Sequence, residues 1–226
     1  MKNLVLSVVV LLVVGFVGYA ILSNRDLSGI NTGHDQENDS EVVAVVNDES
    51  ITRNDFEAVR LQLTAERGID FNTLDAEGQR QINEQAIDSL IGQVLLSQAA
   101  TNVNINVSDQ DVRAQIEIIK SQFESEEDFQ EALSFENITQ ADLEEQIRSE
   151  LILMTYLEQE IDIDSIEVSE EEVAQLYSGL TEGQESPELS EVYLQVEQML
   201  IQQKSQELVS QLVSELRVDA DIEIFI

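Results

Sequence analysis

VVAVVNDESITRNDF, residues Val42 to Phe56, is the stretch whose reading decides the fold. Val42, Val43, Ala44, Val45 and Val46 are apolar and mostly β-branched, the composition of a buried strand, and Asn47-Asp48 is a turn pair that tolerates left-handed dihedrals. A short return strand follows. Thr52, three residues before Asp55, then writes a helix start: its hydroxyl accepts from the Asp55 amide, and the carboxylate favours the positive end of the helix dipole. A lone hairpin is only marginally stable, so a third strand or a helix must cover it. The only other strand-like run beyond the first twenty residues closes the chain, where Ile222, Ile224 and Ile226 alternate with Glu223 and Phe225. Ile222–Ile226 is therefore predicted to pair with Val42–Val46.

Between these strands the helix starts repeat one chemistry. Ser108 with Asp111, Ser125 with Asp128, Thr139 with Asp142 and Ser169 with Glu172 each set a hydroxyl three residues before an acid and ahead of an apolar-periodic run. Ile82, Ala86, Ile87, Leu90, Ile91, Val94 and Leu95 form one stripe, and Val112, Ile116, Ile119 and Phe123 the next. Phe129 and Leu133 mark a short helix; Leu143, Ile147, Leu151, Met154 and Leu157 mark a longer one. Burying an aliphatic or aromatic side chain is worth about 1.5–3 kcal/mol, so the stripes offset ordering entropy only by packing together, and one core is expected. Residues 178–186 read as a loop, and Pro187 suits the first position of a helix. The last helix, from Leu189 to Leu216, keeps its period over about 28 residues, roughly 42 Å, enough to cross a whole domain and deliver the chain to the final strand.

Upstream of Val42 the sequence changes character. Leu4 to Leu22 is almost wholly apolar and, as a helix, spans about 28 Å, close to a bilayer core. Lys2 precedes it and acids dominate after it, which orients the chain N-inside and places the fold outside the cytoplasm. Residues 1–22 are read as a retained membrane anchor; cleavage at the small-x-small site of Gly18 and Ala20, giving a secreted protein, is the alternative. Residues 23–41 form a flexible acidic tether. The net charge of −35, from 46 acidic and 11 basic residues, argues against nucleic acid as a partner. It also suits a salt-adapted host, where counterions screen the self-repulsion. The absence of cysteine excludes disulfides, thiolate nucleophiles and thiolate metal sites.

The order VVAVVNDESIT, capped helices, VSEEEVAQLY, and a long helix ending in DIEIFI resembles the SurA-like, PrsA-type periplasmic chaperones. In that family the first turn reads V-N-G-E-x-I-T; Val46 to Thr52 match it except for Asp48 at the glycine. The V-S-x-x-E motif leads there into a parvulin-type prolyl isomerase domain. Here only about ten residues separate Tyr177 from Pro187, too few for a domain when miniature folds need about 40. Parvulin sites also use paired histidines, and this chain has only His34, in the tether. The resemblance implies a mainly α, multi-helix chaperone domain over residues 42–226, with a small sheet joining its terminal strands. It implies an ATP-independent holdase for unfolded or exported polypeptides, parvulin-less and not an enzyme. A membrane-tethered adaptor or assembly subunit with one folded partner is the alternative.

Candidate client contacts are Phe123, Phe129, Phe135, Met154, Tyr177, Tyr193 and Met199, large or flexible side chains near helix ends and junctions. At helical spacing each is equally a core residue. Asp162, Asp164 and Glu167 lack the glycine that an EF-hand turn requires, so no metal is expected there. No nucleophile elbow, zinc helix or glycine-rich phosphate loop is present, and neither catalytic residues nor a cofactor are expected.

Overall fold

The computed structural model describes residues 41–135, 138–161, 165–181 and 187–226. In chain order these form β1 (Val42–Val46), β2 (Glu49–Thr52), α1 (Arg53–Glu66), a 3-10 turn (Phe71–Thr73), α2 (Ala76–Asn102) and α3 (Asp109–Lys120). Then follow α4 (Glu126–Phe135), α5 (Gln140–Glu160), α6 (Glu170–Thr181), α7 (Leu189–Val218) and β3 (Ile222–Ile224). The fold is mainly helical with one small antiparallel sheet, as the pattern predicts. The apolar run Leu4 to Leu22, residues 23–40 of the tether with His34, the acids Asp162 and Asp164, and residues 182–186 of the expected loop lie outside the described residues, whereas 178–181, expected in that loop, form the last turn of α6. Among the described residues no helix is long and apolar enough to cross a membrane. The chain divides into two compact units, one holding residues 104–212 and the other residues 41–103 with Val213–Ile226, so α7 contributes to both.

In the unit that carries the sheet, the strand order is β2-β1-β3 and every pairing is antiparallel. The expected meeting of the chain's two ends is present: Ala44 faces Ile224, Val45 faces Glu223 and Val46 faces Ile222. A register shift between Val42 and Ala44 places a bulge on β1 against β2, and a bulge re-aims local side chains, so that the consecutive Val43 and Ala44 are both enclosed. Asn47 takes the left-handed φ of 55° and is the one described non-glycine residue with positive φ. Asp48 therefore needs no glycine, which accounts for the departure from the V-N-G-E pattern.

The Asn47 side chain also ties three elements together. Its Nδ2 donates to Gln98 Oε1 at 2.6 Å, and its Oδ1 accepts from the Asp221 amide at 3.0 Å. Its own amide donates to the Asp221 carbonyl at 2.6 Å. Gln98 Nε2 in turn reaches the Val46 carbonyl and Glu49.

Thr52 and Asp55 form the expected capping box, each side chain satisfying the other's backbone amide. α1 ends in a Schellman arrangement: Gly68 at φ 62° donates to Ala65, and Ile69 to Thr64. The Arg60 guanidinium lies over Phe56 and Phe71, 5.7 and 4.6 Å from the ring centroids, which fixes the 3-10 turn against α1. α2 presents the predicted stripe from Ala86 to Leu95, with Val94 packed at its margin, to a core that includes Val43, Ala44, Val46, Ile51 and Phe56; Ile82 is buried outside this cluster. Val213, Leu216, Ala220 and Ile222 close this core from the far end of the chain.

The approach of α7 to α2 depends on Gly92, where an added Cβ would stand 3.3 Å from Val213 Cγ1. Arg217 and Asp88 pair at 2.6 Å beside this contact. Gly92→Ala is expected to be nearly neutral, because helix propensity gained offsets a contact a few tenths of an ångström too tight. Gly92→Leu is expected to lower stability by about 2 kcal/mol or more, since a close-packed helix contact has no room for it; urea denaturation of the two variants checks the contrast.

In the other unit α3, α4 and α5 enclose Val112, Ile116, Phe129, Leu133, Leu143 and Ile147. Each of these helices begins with its expected hydroxyl–acid pair, at Ser108, Ser125 and Thr139. Arg148 of α5 holds the start of α3, donating to the Val107 carbonyl at 2.8 Å and to Asp109 at 2.6 Å. α6 starts at the Ser169–Glu172 pair and packs through Val173 against Val196 and Leu200 of α7. Lys204 of α7 clamps this start, donating to Glu172 and to the Glu167 carbonyl, both at 2.6 Å. The apolar stripes thus fill several separate clusters, not the single core expected. Periodicity identifies the apolar face of a helix, whereas the partner that covers it is set by loop lengths and chain path.

Candidate functional site

The seven side chains singled out in the sequence range from fully enclosed through half-buried to exposed. Phe129 is fully enclosed, and Phe123 meets it edge-on, ring centroids 5.5 Å apart, at the margin of the α3–α5 core. Lys120 lies 5.2 Å above the Phe129 ring, capping that contact with a cation. Phe135, at the end of α4, is 70% exposed. Met154 is half-buried on α5. Tyr177 and Tyr193 are half-buried against the α6–α7 cluster, and the Tyr177 hydroxyl donates to the Pro187 carbonyl at 2.6 Å. Met199 of α7 is 46% exposed.

Phe135 and Met199 are thus the large side chains of the set that face solvent most openly, while Phe129 serves the fold. Periodicity alone did not single out Leu194, which is 70% exposed on α7, nor Ile118 on α3 and Leu180 on α6. Leu194 and Ile118 stand two positions from the stripe residues Val196 and Ile116, on the opposite faces of their helices, and Leu180, expected in the loop, lies in the last turn of α6. Exposed large apolar side chains on well-capped helices provide adhesive surface. Among the described residues no group of histidine, aspartate and glutamate is arranged to hold a metal ion.

Two carboxylates of this unit have strongly displaced proton affinities, with opposite causes. The Lys204 ammonium, together with the Ser169 amide and hydroxyl, holds Glu172 down to about 2, so this joint stays ionised until strongly acid pH. Glu150 of α5 shares its helix face with Ile147, Leu153 and Met154 and has no hydrogen-bond or ion-pair partner among the described residues. Burial pushes its carboxyl up to about 7 from an ordinary 4.5. A carboxyl held more tightly by the folded than by the unfolded chain favours folding fully below the unfolded value, and that contribution is lost as pH rises through about 7. Glu150→Gln is therefore expected to stabilise the protein by about 1–3 kcal/mol at pH 8 and to change little at pH 4. Denaturation curves at the two pH values check this; equal effects at both would contradict it.

No curated protein matches the chain. The family model of the SurA-like N-terminal domain matches residues 1–157, from the apolar run through β1, β2 and α1–α4 into α5. With the greater part of its length covered by that model, and with the strand, turn and capped-helix order in place, the chain belongs to the SurA-like N-terminal domain family.

Proposed function

We propose that the chain is an extracytoplasmic, ATP-independent holdase that binds unfolded or exported polypeptides through exposed apolar side chains of its helices. The family assignment is the observation that carries this reading. The outward-facing Phe135, Leu194 and Met199 support it, because they offer adaptable apolar contacts on a frame fixed by capping boxes and ion pairs. The run Leu4 to Leu22 holds the protein at the cytoplasmic membrane, and the acidic stretch behind it supplies reach. Where the resemblance places an isomerase, the sequence offers only residues 182–186 between Thr181 and Pro187, so holding proceeds without prolyl isomerisation.

Refolding of a proline-limited substrate in the presence of the full chain tests the division of labour. The refolding rate constant is expected to stay unchanged while the yield of soluble protein rises. Acceleration of the proline-limited phase would overturn the absence of catalysis. Affinity capture supplies the second arm: many unrelated extended polypeptides are expected, whereas one stoichiometric folded partner would mark a membrane-tethered adaptor instead. The charge of −35 adds a dependence on medium, with the melting temperature expected to climb between low and molar salt as self-repulsion is screened.

A further inference from the structure

Among the described residues the sheet ends at β3, and nothing pairs with the outer edge of that strand. Asn47 donates to the Asp221 carbonyl at 2.6 Å, and the Phe225 amide donates to the Val43 carbonyl at 2.9 Å. In an antiparallel ladder the residues that bond to one neighbour alternate with those that face away. Asp221, Glu223 and Phe225 therefore turn their backbones to β1, and the amides and carbonyls of Ile222 and Ile224 point outward, with no partner among the described residues.

The side chains carry the same message. Ile222 and Ile224 stand opposite the fully enclosed Val46 and Ala44 and so continue the covered face of the sheet. Cover runs out along this row: Ile222 packs on the core, while Ile224 is 48% exposed, Ile226 49% and neighbouring Phe225 58%. Of the devices that blunt protein edges, β3 has shortness and one charge, Glu223, but no lysine, proline or bulge. The opposite edge, β2, is ordinary by comparison, being largely polar with Glu49, Ser50 and Thr52.

We propose that the free edge of β3 takes up an extended polypeptide segment as a fourth strand, apolar at alternate positions and basic between them. This rests on the holdase reading and names the class of client segment that one part of the molecule selects. Unpaired backbone groups bond to any extended chain regardless of sequence, as a holdase requires, and the half-covered isoleucine row favours alternating apolar side chains. Charge decides between occupants. Asp219, Asp221 and Glu223 line this segment, and the cation that precedes them in sequence, Arg217, is engaged with Asp88. Pairing with a second copy would bring these acids against their equals and join two chains of −35 each. A basic segment gains from the same field.

The probes are fluorescein-labelled heptapeptides with valine at alternate positions and lysine, glutamine or glutamate between. They are titrated at low salt against the full chain in phosphatidylcholine nanodiscs. Affinity is expected to fall from lysine to glutamine to glutamate, by at least about tenfold overall. Ile224→Pro removes an outward amide and no ladder bond to β1, the one placement in which an edge strand tolerates proline. It is expected to weaken the lysine peptide by about tenfold or more while leaving the melting temperature within a few degrees.

Should that variant lose its fold, backbone N-methylation of the peptide decides without touching the protein. Methylating the amides of one alternate set abolishes binding, and methylating the other set leaves it intact. Indifference to both sets, equal binding of lysine and glutamate peptides, or a dimer in ultracentrifugation that Ile224→Pro dissolves would each overturn the proposal. Suppression of client aggregation that survives Ile224→Pro unchanged, with no peptide binding at β3, would reject this site and leave the holdase reading standing. Peptide binding without any suppression would reject the holdase reading alone.

Discussion

Truncation after Ala220 is expected to lower the stability of the sheet-bearing unit by about 4 kcal/mol or more, enough to leave a marginal domain largely unfolded. β3 lies on one side of the central strand, so its loss turns β1 into an edge and leaves only the β1–β2 hairpin, an arrangement with little stability of its own. The ladder bonds of Asp221, Glu223 and Phe225 are each worth about 1 kcal/mol net, and the β1 groups they leave behind remain beside a core that admits little water. Ile222 is lost from that core, and the cover over Val43, Ala44 and Val46, all fully enclosed in the intact chain, is removed. The chain has no tryptophan, so urea titration followed by far-ultraviolet circular dichroism, with hydrogen exchange at the β1 amides, is the suitable readout. A truncated protein as stable as its parent would show that β3 is an accessory to the fold.

Asn47→Ala carries the next largest expected effect, a loss of about 2–4 kcal/mol. One part is conformational, because alanine resists the φ of 55° that asparagine tolerates, at about 1–2 kcal/mol. The other part is the loss of bonds to Gln98 and to the Asp221 amide, which join the hairpin to α2 and to the entry of β3. Asn47→Gly separates the two, since glycine restores the backbone freedom and not the bonds, and is expected to cost about half as much. A double-mutant cycle with Gln98→Ala should show coupling of about 0.5 kcal/mol or more, as direct contact requires. Equal losses for the alanine and glycine variants would mean that the left-handed turn contributes nothing.

The readable part of the fold was the part written in local chemistry. The strand Val42–Val46, the turn, every hydroxyl–acid helix start and the return of the chain end to β1 follow from residues that act on neighbours or on one alternating face. What escaped was the choice of partners. Phe129 and Phe135 sit six residues apart on one short helix with the same chemistry, yet one is enclosed and the other is 70% exposed. Glu150 gives no signal in the sequence at all, because a single acid in an acidic chain stands out only through the apolar surroundings that packing gives it. The glycine-to-aspartate departure at Asp48 was legible as a difference and became interpretable once the positive φ was found on Asn47.

The most direct test of the chaperone reading is light scattering from chemically unfolded, unrelated proteins diluted into buffer with increasing amounts of the full chain in nanodiscs, without nucleotide. Near-stoichiometric chain is expected to suppress aggregation of all of them, with Phe135→Ser, Leu194→Ser and Met199→Ser together weakening suppression while the melting temperature is retained. Scattering that matches that of empty nanodiscs for every client would contradict it.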